Sequence, residues 1–295
     1  MSAVTVKGSR ETRAVTRRWA PARAVSVALR YAALIAVLGF AVFPFVWTLA
    51  IALTDKTRGG SIYDFPASLL PKGVTFANFV SVYQTFQLGQ YLWNSVSITL
   101  MTVVGTLVIS ALAAYPLARF RFPGRNLIFG AIVATLVLPS ETNFIVNTLT
   151  LKHLNLLGTH LGVVIPTVAG AFGIFLMRQA FLSVPTALVE AARIDGAGEL
   201  TILTRIMLPL TRPSLTALGI FTLVTTWNAY FWPMVVLSAA PDKVPLSVAV
   251  LKLKGQFNYD PFNIAAGAVI MMLPVLLIFL AAQRQFMRGM EGAVK

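Results

Sequence analysis

Of the chain's 295 residues, 57% are hydrophobic and only 12% charged, with a mean hydropathy of +0.77. That balance excludes an ordinary soluble domain and reads as an all-α membrane protein. A formal charge of +14 raises nucleic acid as a partner until the placement of the bases is considered, while the absence of cysteine excludes disulfides, thiolate chemistry and cysteine-ligated metals.

Residues 1–28 form a basic arm whose charge suits anionic lipid. Its "TRRW" at 16–19 resembles part of a twin-arginine signal. The apolar run that follows is too long for a cleavable signal and carries no small-residue cleavage site, so an uncleaved anchor is expected. Apolar segments at 29–53, 92–115, 127–149, 160–182, 213–238 and 263–283 each reach the roughly 20 helical residues that cross a hydrocarbon core. They predict a six-helix transmembrane domain over 29–283, followed by a tail at 284–295. Proline and glycine interrupt or bound every segment, which membrane helices tolerate where neighbours satisfy the freed backbone groups.

An even number of crossings puts both termini on one side. Most of the 24 Lys and Arg lie in the arm, after the second segment, between the fourth and fifth, and in the tail. By the positive-inside rule both termini are cytoplasmic, and the basic excess is then mostly topology, leaving no call for nucleic acid. The outer loops, 54–91 and 239–262, carry Tyr63, Phe65, Tyr83, Phe86, Tyr91, Phe257 and Tyr259. These aromatics suit either a soluble partner or anchoring at the lipid interface. His153 and His160, the two histidines, are too few for a His-rich metal site.

The cytoplasmic connection at 183–212 is different in kind. Of only ten acids in the chain, Glu190, Asp195 and Glu199 fall within ten residues, balanced by arginines, so orientation does not explain them. Pro185 opens a helix that Gly196 stops, and a second helix begins at Glu199 and runs to Pro209. Glu190 reaches Arg193 at i+3, whereas Asp195 stands at a C-terminus, where the helix dipole disfavours an anion. Ala191 and Ala192 give the first helix a smooth face suited to entering a groove.

The run "EAARIDGAGELTILTRIMLPLTRP" at 190–213 closely resembles the EAA loop of binding-protein-dependent ABC importer permeases, with Glu190, Ala191, Ala192, Gly196, Ile206, Leu208 and Pro209 at the motif positions and Asp195 and Ala197 extending the match. "NSVSIT" at 94–99, "AAYPLARFRFPGR" at 113–125, "TWNAYFWP" at 226–233 and the tail "QRQFMRGMEGAVK" are similar to carbohydrate-uptake permeases of the maltose type, the MalG-like subunit. The resemblance implies a multi-pass protein of the bacterial cell membrane. It implies as partners a second permease subunit in a heterodimer, two ATPase subunits and an extracytoplasmic solute-binding protein. ATP and Mg would sit on the ATPase subunits, with no cofactor on this chain, and no G-x-x-x-x-G-K-[ST] loop occurs in it. Glu190, Ala191, Ala192, Asp195, Gly196, Leu208 and Pro209 would couple the ATPases to the membrane helices, with the first loop helix as a coupling helix between spans four and five.

Polar groups at membrane depth are expensive and mark a substrate path. Glu141, the one acid in an expected span, is followed by Asn143 and Asn147; the fifth segment holds Trp227, Asn228 and Tyr230, suited to stacking on a sugar and bonding its hydroxyls. Interfacial anchoring and helix joining are the competing roles. A secondary transporter is the alternative, with Glu141 as its sole candidate for ion coupling. A membrane enzyme lacks any visible nucleophile, metal cluster or carboxylate pair.

Overall fold

The computed structural model describes residues 20–58, 65–71, 73–85, 88–252 and 260–291, with the backbone alone for 20–24, 85, 140–141, 252 and 281–291. Residues 1–19 of the arm, Tyr63, Phe86, Phe257, Tyr259 and residues 292–295 of the tail lie outside the described residues. The chain divides into two compact units, Met1–Trp47 and Thr48–Lys295.

The first unit is most of α1 (Ala20–Ala52). Its stretch Val25–Ala52 has a mean hydropathy of 2.4, and side chains such as Leu34, Ile35, Leu38 and Phe40 stand exposed around it. From Tyr31 to Val46 the helix is apolar on every side and buried on none, which matches lipid as its solvent.

The second unit is built on α3 (Leu88–Arg119), preceded by the short α2 (Ala77–Thr85). At 1.5 Å per residue α3 is about 48 Å long, enough to cross the bilayer with a turn to spare at each end. Its buried residues, Asn94, Ile98, Thr102, Thr106, Ser110, Ala114 and Tyr115 among them, recur every three or four positions and so form one stripe. Most are small, and α7 (Ala171–Ser183) lies close against them. A Cβ added at Gly173 would stand 2.3 Å from the Ser110 Oγ, and one at Gly105 would stand 2.7 Å from a Val168 methyl. Close approach through small residues is how helices gain dispersion contacts where lipid removes the hydrophobic drive.

Between these two helices the expected third and fourth segments are broken. The third becomes α4 (Arg125–Ala134), a 3-10 turn, and α5 (Phe144–His153), because Leu138 precedes Pro139 and takes an extended ψ of 130°. Glu141 lies in the 3-10 turn Ser140–Asn143 of that break rather than in a continuous span. The fourth becomes α6 (His160–Val164), capped by the Thr159 hydroxyl, and then α7. Past α7 come α8 (Thr186–Ile194) and α9 (Glu199–Leu210), then α10 (Arg212–Asn228), α11 (Phe231–Val236), α12 (Leu246–Lys252) and α13 (Pro261–Glu291). Ala229 breaks the expected fifth segment by turning extended after α10.

Among the described residues three helices are continuous and apolar enough to cross a membrane, and up to five crossings arise if the bent pairs α7–α8 and α9–α10 each count as one. Three apolar cores fill the second unit. One holds Tyr115, Met177, Phe181, Val189, Ile202 and Met207; the second Ile98, Leu151, Val163, Val236 and Val244; the third Val82, Trp227, Leu246 and Ala266. Buried amides pin the loops between them: Asn94 Nδ2 donates to the carbonyls of Asp242 and Val244, and Asn78 Nδ2 to those of Ala52 and Thr54.

Candidate functional site

The hairpin α8–α9 lies across the ends of α7 and α10. The chain bends by 78° between α7 and α8, where Val184 and Pro185 are extended, and by 82° between α9 and α10 at Thr211. Proline causes the first bend, since it disfavours helical geometry at Val184 and lacks an N–H to continue the ladder. At the second, Pro213 sits in the first turn of α10 and Thr211 satisfies the Met207 carbonyl through both its N–H and its hydroxyl.

Gly196 ends α8 by adopting φ +80°. Its N–H donates to Arg193 O and that of Ala197 to Ala192 O, at 3.0 and 2.9 Å. This is the paired closure of a Schellman cap, and Ala197 packs against the same core as Ala192. A Cβ at Gly196 would touch nothing within 4 Å, so the backbone angle alone selects glycine. α9 widens into a π-turn at Leu203–Met207 just before Pro209, whose ring a regular turn would press against the Arg205 carbonyl. Pro209 therefore does not end the helix, which continues to Leu210.

Glu199 holds the two halves together. Arg193 donates from Nε to Oε1 at 2.9 Å and from an Nη to Oε2 at 3.3 Å, and the Tyr115 hydroxyl of α3 donates to Oε2. The expected Glu190–Arg193 pair is not formed: Arg193 turns to Glu199, where a second donor completes the carboxylate. Arg193's two hydrogen bonds hold the Glu199 carboxyl below its ordinary pKa of 4.5; partial burial opposes them, and the Tyr115 bond adds to them.

Two further arginines lock the membrane helices beneath the hairpin. Arg119, near the end of α3, donates to the carbonyls of Phe181 and Val184 at the end of α7. Arg178 of α7 donates to Leu117 O of α3 at 3.1 Å and lies 3.9 Å over the Phe129 ring. Each helix thus carries the cation that satisfies the other's terminal carbonyls, which fixes them side by side and parallel.

The inward side of α8, Val189 and Ala192, belongs to the same core as Tyr115, Met177 and Phe181. Its outward side does not. Glu190, Ala191, Asp195 and Gly196 are exposed, Leu188 is 46% and Ile194 86% exposed, and no described residue covers them. The two alanines therefore face opposite ways, Ala192 into the core and Ala191 outward, and the expected smooth face is Ala191 with Leu188 and Ile194. Leu208 is half-buried against the core. Glu190 also edges a cleft of about 800 Å³ between α8 and the 120–125 turn, lined by Arg119, Arg121, Arg125 and Arg193.

The expected substrate-path residues are scattered. Asn143 is exposed at the N-cap of α5 and Tyr230 is 46% exposed at the N-cap of α11; the Phe144 and Phe231 rings, 5.6 Å apart, bring these two helix starts together. Asn147 is half-buried and Asn228 donates to Val224 O within its own helix. Trp227 is 4% exposed and its indole N–H bonds Met271 O, so it joins α10 to α13. The side chain of Glu141 lies outside what is described. Tyr115, Arg119 and Arg178 were not expected as site residues, although "AAYPLARF" contains the first two.

The sequence family described as "binding-protein-dependent transport system inner membrane component" matches residues 106–292, which include the whole hairpin. The chain is 32% identical over 272 residues to the lactose transport system permease protein LacG of Rhizobium radiobacter, covering 90% of this chain and 96% of that one. It is 31% identical over 264 residues to the sn-glycerol-3-phosphate transport system permease protein UgpE of Yersinia enterocolitica, covering 86% and 92%. In three dimensions it is similar to a chain of a bacterial ABC transporter involved in the import of the acidic polysaccharide alginate, with a TM-score of 0.78, 26% identity, and 96% and 100% of the two chains covered.

Proposed function

The chain belongs to the family of binding-protein-dependent transport system inner membrane components, and from that premise we propose that it is the transmembrane permease subunit of an ATP-driven importer for a sugar or sugar-like solute. It works beside a second permease subunit in a heterodimer, over two ATPase subunits that hold ATP and Mg, and receives solute from an extracytoplasmic binding protein. It crosses the bacterial cell membrane six times with both termini in the cytoplasm, the broken segments each making one crossing.

One observation carries this reading: α8 is buried on one side in the membrane helices' own core and bare on the other, with apolar and acidic residues together on the bare side. A partner that seats on Leu188, Glu190, Ala191 and Ile194 moves α8, and α8 cannot move without Tyr115, Phe181 and Met177. ATP-driven closure of the ATPases thereby biases the membrane helices between their two arrangements. Asp195 and Gly196 shape the end of that contact, while Leu208 and Pro209 pass it to α10. Polar residues along the path, among them Glu141, Asn143, Asn147, Asn228 and Tyr230, meet the solute.

The test is co-isolation. Ile194→Asp places a charge on the bare face without touching the core, so the variant should retain the wild-type melting temperature and lose its ATPase subunits. If the ATPase subunits stay bound through Ile194→Asp and through a second outward change, Ala191→Arg, the docking role is wrong.

A further inference from the structure

Along α3 the fold leaves four buried hydroxyls without partners, those of Thr99, Thr102, Thr106 and Ser110, and the middle two share a cavity. Thr102 and Thr106 are 2% and 5% exposed, and neither Oγ1 makes a hydrogen bond. Several threonines of the other helices satisfy themselves: Thr148, Thr150, Thr204, Thr211 and Thr225 each donate to the carbonyl four residues back, at 2.7 to 2.9 Å. A buried hydroxyl with no partner destabilises a fold, and valine would fill the same volume without that penalty.

Both threonines line one half-open cavity of about 260 Å³ bounded by α3, α6, α7, α10 and α11. Thr222, also buried, adds a hydroxyl from α10, and Thr167, Thr225 and Thr226 stand in the same lining. Phe172 and Phe221 stand in the same lining, ring centroids 4.7 Å apart, and are 39% and 50% exposed. No Asp, Glu, Lys or Arg lines it. At just under the ~300 Å³ where small-molecule pockets usually begin, it admits one ring rather than a chain.

We propose that this cavity is a binding subsite for a single ring of a neutral, hydroxyl-bearing solute, which stacks against Phe172 and Phe221 and hydrogen-bonds Thr102 and Thr106. Aromatic faces beside hydroxyls match a sugar ring, which has apolar faces and a polar edge. Threonine in a helix populates two χ1 wells, so Oγ1 reaches the cavity by a side-chain rotation with the backbone in place. The subsite rests on the sugar reading given above, but uses residues other than those the sequence picked out for it.

The test uses the complete complex in sealed vesicles with its loaded binding protein. Thr102→Val with Thr106→Val should lower solute uptake by about tenfold, the loss expected when hydrogen bonds of ordinary net strength to the solute are removed, while binding-protein-stimulated ATP hydrolysis persists and the melting temperature holds or rises. Thr102→Ser with Thr106→Ser keeps the hydroxyls and should keep uptake. Uptake by the valine variant equal to wild type overturns the subsite alone, as does a fall in uptake accompanied by a lowered melting temperature or shared by the serine variant. Failure of the wild-type complex to import any hydroxylated neutral solute overturns the sugar reading and the subsite together.

Discussion

Glu199 accepts from a loop arginine and from a tyrosine of the longest buried helix, so a single carboxylate ties the charged hairpin to the membrane part. The pair with Arg193 is some 40% exposed on each side, which limits its worth to under about 1 kcal/mol. Its role is registry more than stability: Glu199→Gln should loosen the α8–α9 turn, seen as faster amide exchange at 195–199, with little change in melting temperature. Because the folded-state pKa is lowered, the contribution is complete above the ordinary value of 4.5 and is lost as pH falls through the lowered one. The same exchange rates should therefore rise only in acid, and Glu199→Gln should remove that pH dependence. At Gly196 the left-handed angle, not space, forbids a side chain, so Gly196→Ala should cost about 1–2 kcal/mol of local stability while leaving every contact in place. These roles are not equally visible in the sequence. The glycine stop is, because a helix period ends on it. The Glu199–Tyr115 bond is not, because nothing in a local pattern says which residue 84 positions away will be adjacent.

At the scale of the element, α8 has two different faces. Ala192 is 9% exposed in a core shared with α3 and α7, and overpacking such a site costs about 1–3 kcal/mol, so Ala192→Leu should lower the melting temperature of the isolated chain. Ala191→Leu, one position along, adds the same atoms to bare surface. It should leave that temperature unchanged and weaken binding of the ATPase subunits, measured by co-isolation. The hairpin itself was legible from Pro185, Gly196 and the spacing of acids, since those residues act through their own backbone and charge. The breaks in the third, fourth and fifth segments were less so. Pro139 and Pro166 are plain in the sequence, but proline in a membrane helix either kinks or stops it, and neighbours decide which. Which alanine faces inward was likewise set by tertiary packing, not by the pattern E-A-A.

For the whole molecule, the arrangement is a parallel pair, α3 and α7, cross-capped by Arg119 and Arg178, with the hairpin seated on their ends through one continuous core. Membrane class was readable because the bilayer imposes a length rule on any sequence. The interior was not, since the hydroxyls of α3 look like helix glue until their missing partners are seen. Transmission through the hairpin is the central claim, and uptake by the complex in sealed vesicles, with ATP and the loaded binding protein supplied, tests it most directly. Wild-type vesicles should take up solute only when the ATPase subunits and ATP are present, and vesicles carrying Ile194→Asp should take up none although the chain keeps its melting temperature. Uptake that continues without ATPase subunits and follows an imposed sodium or proton gradient would contradict the account.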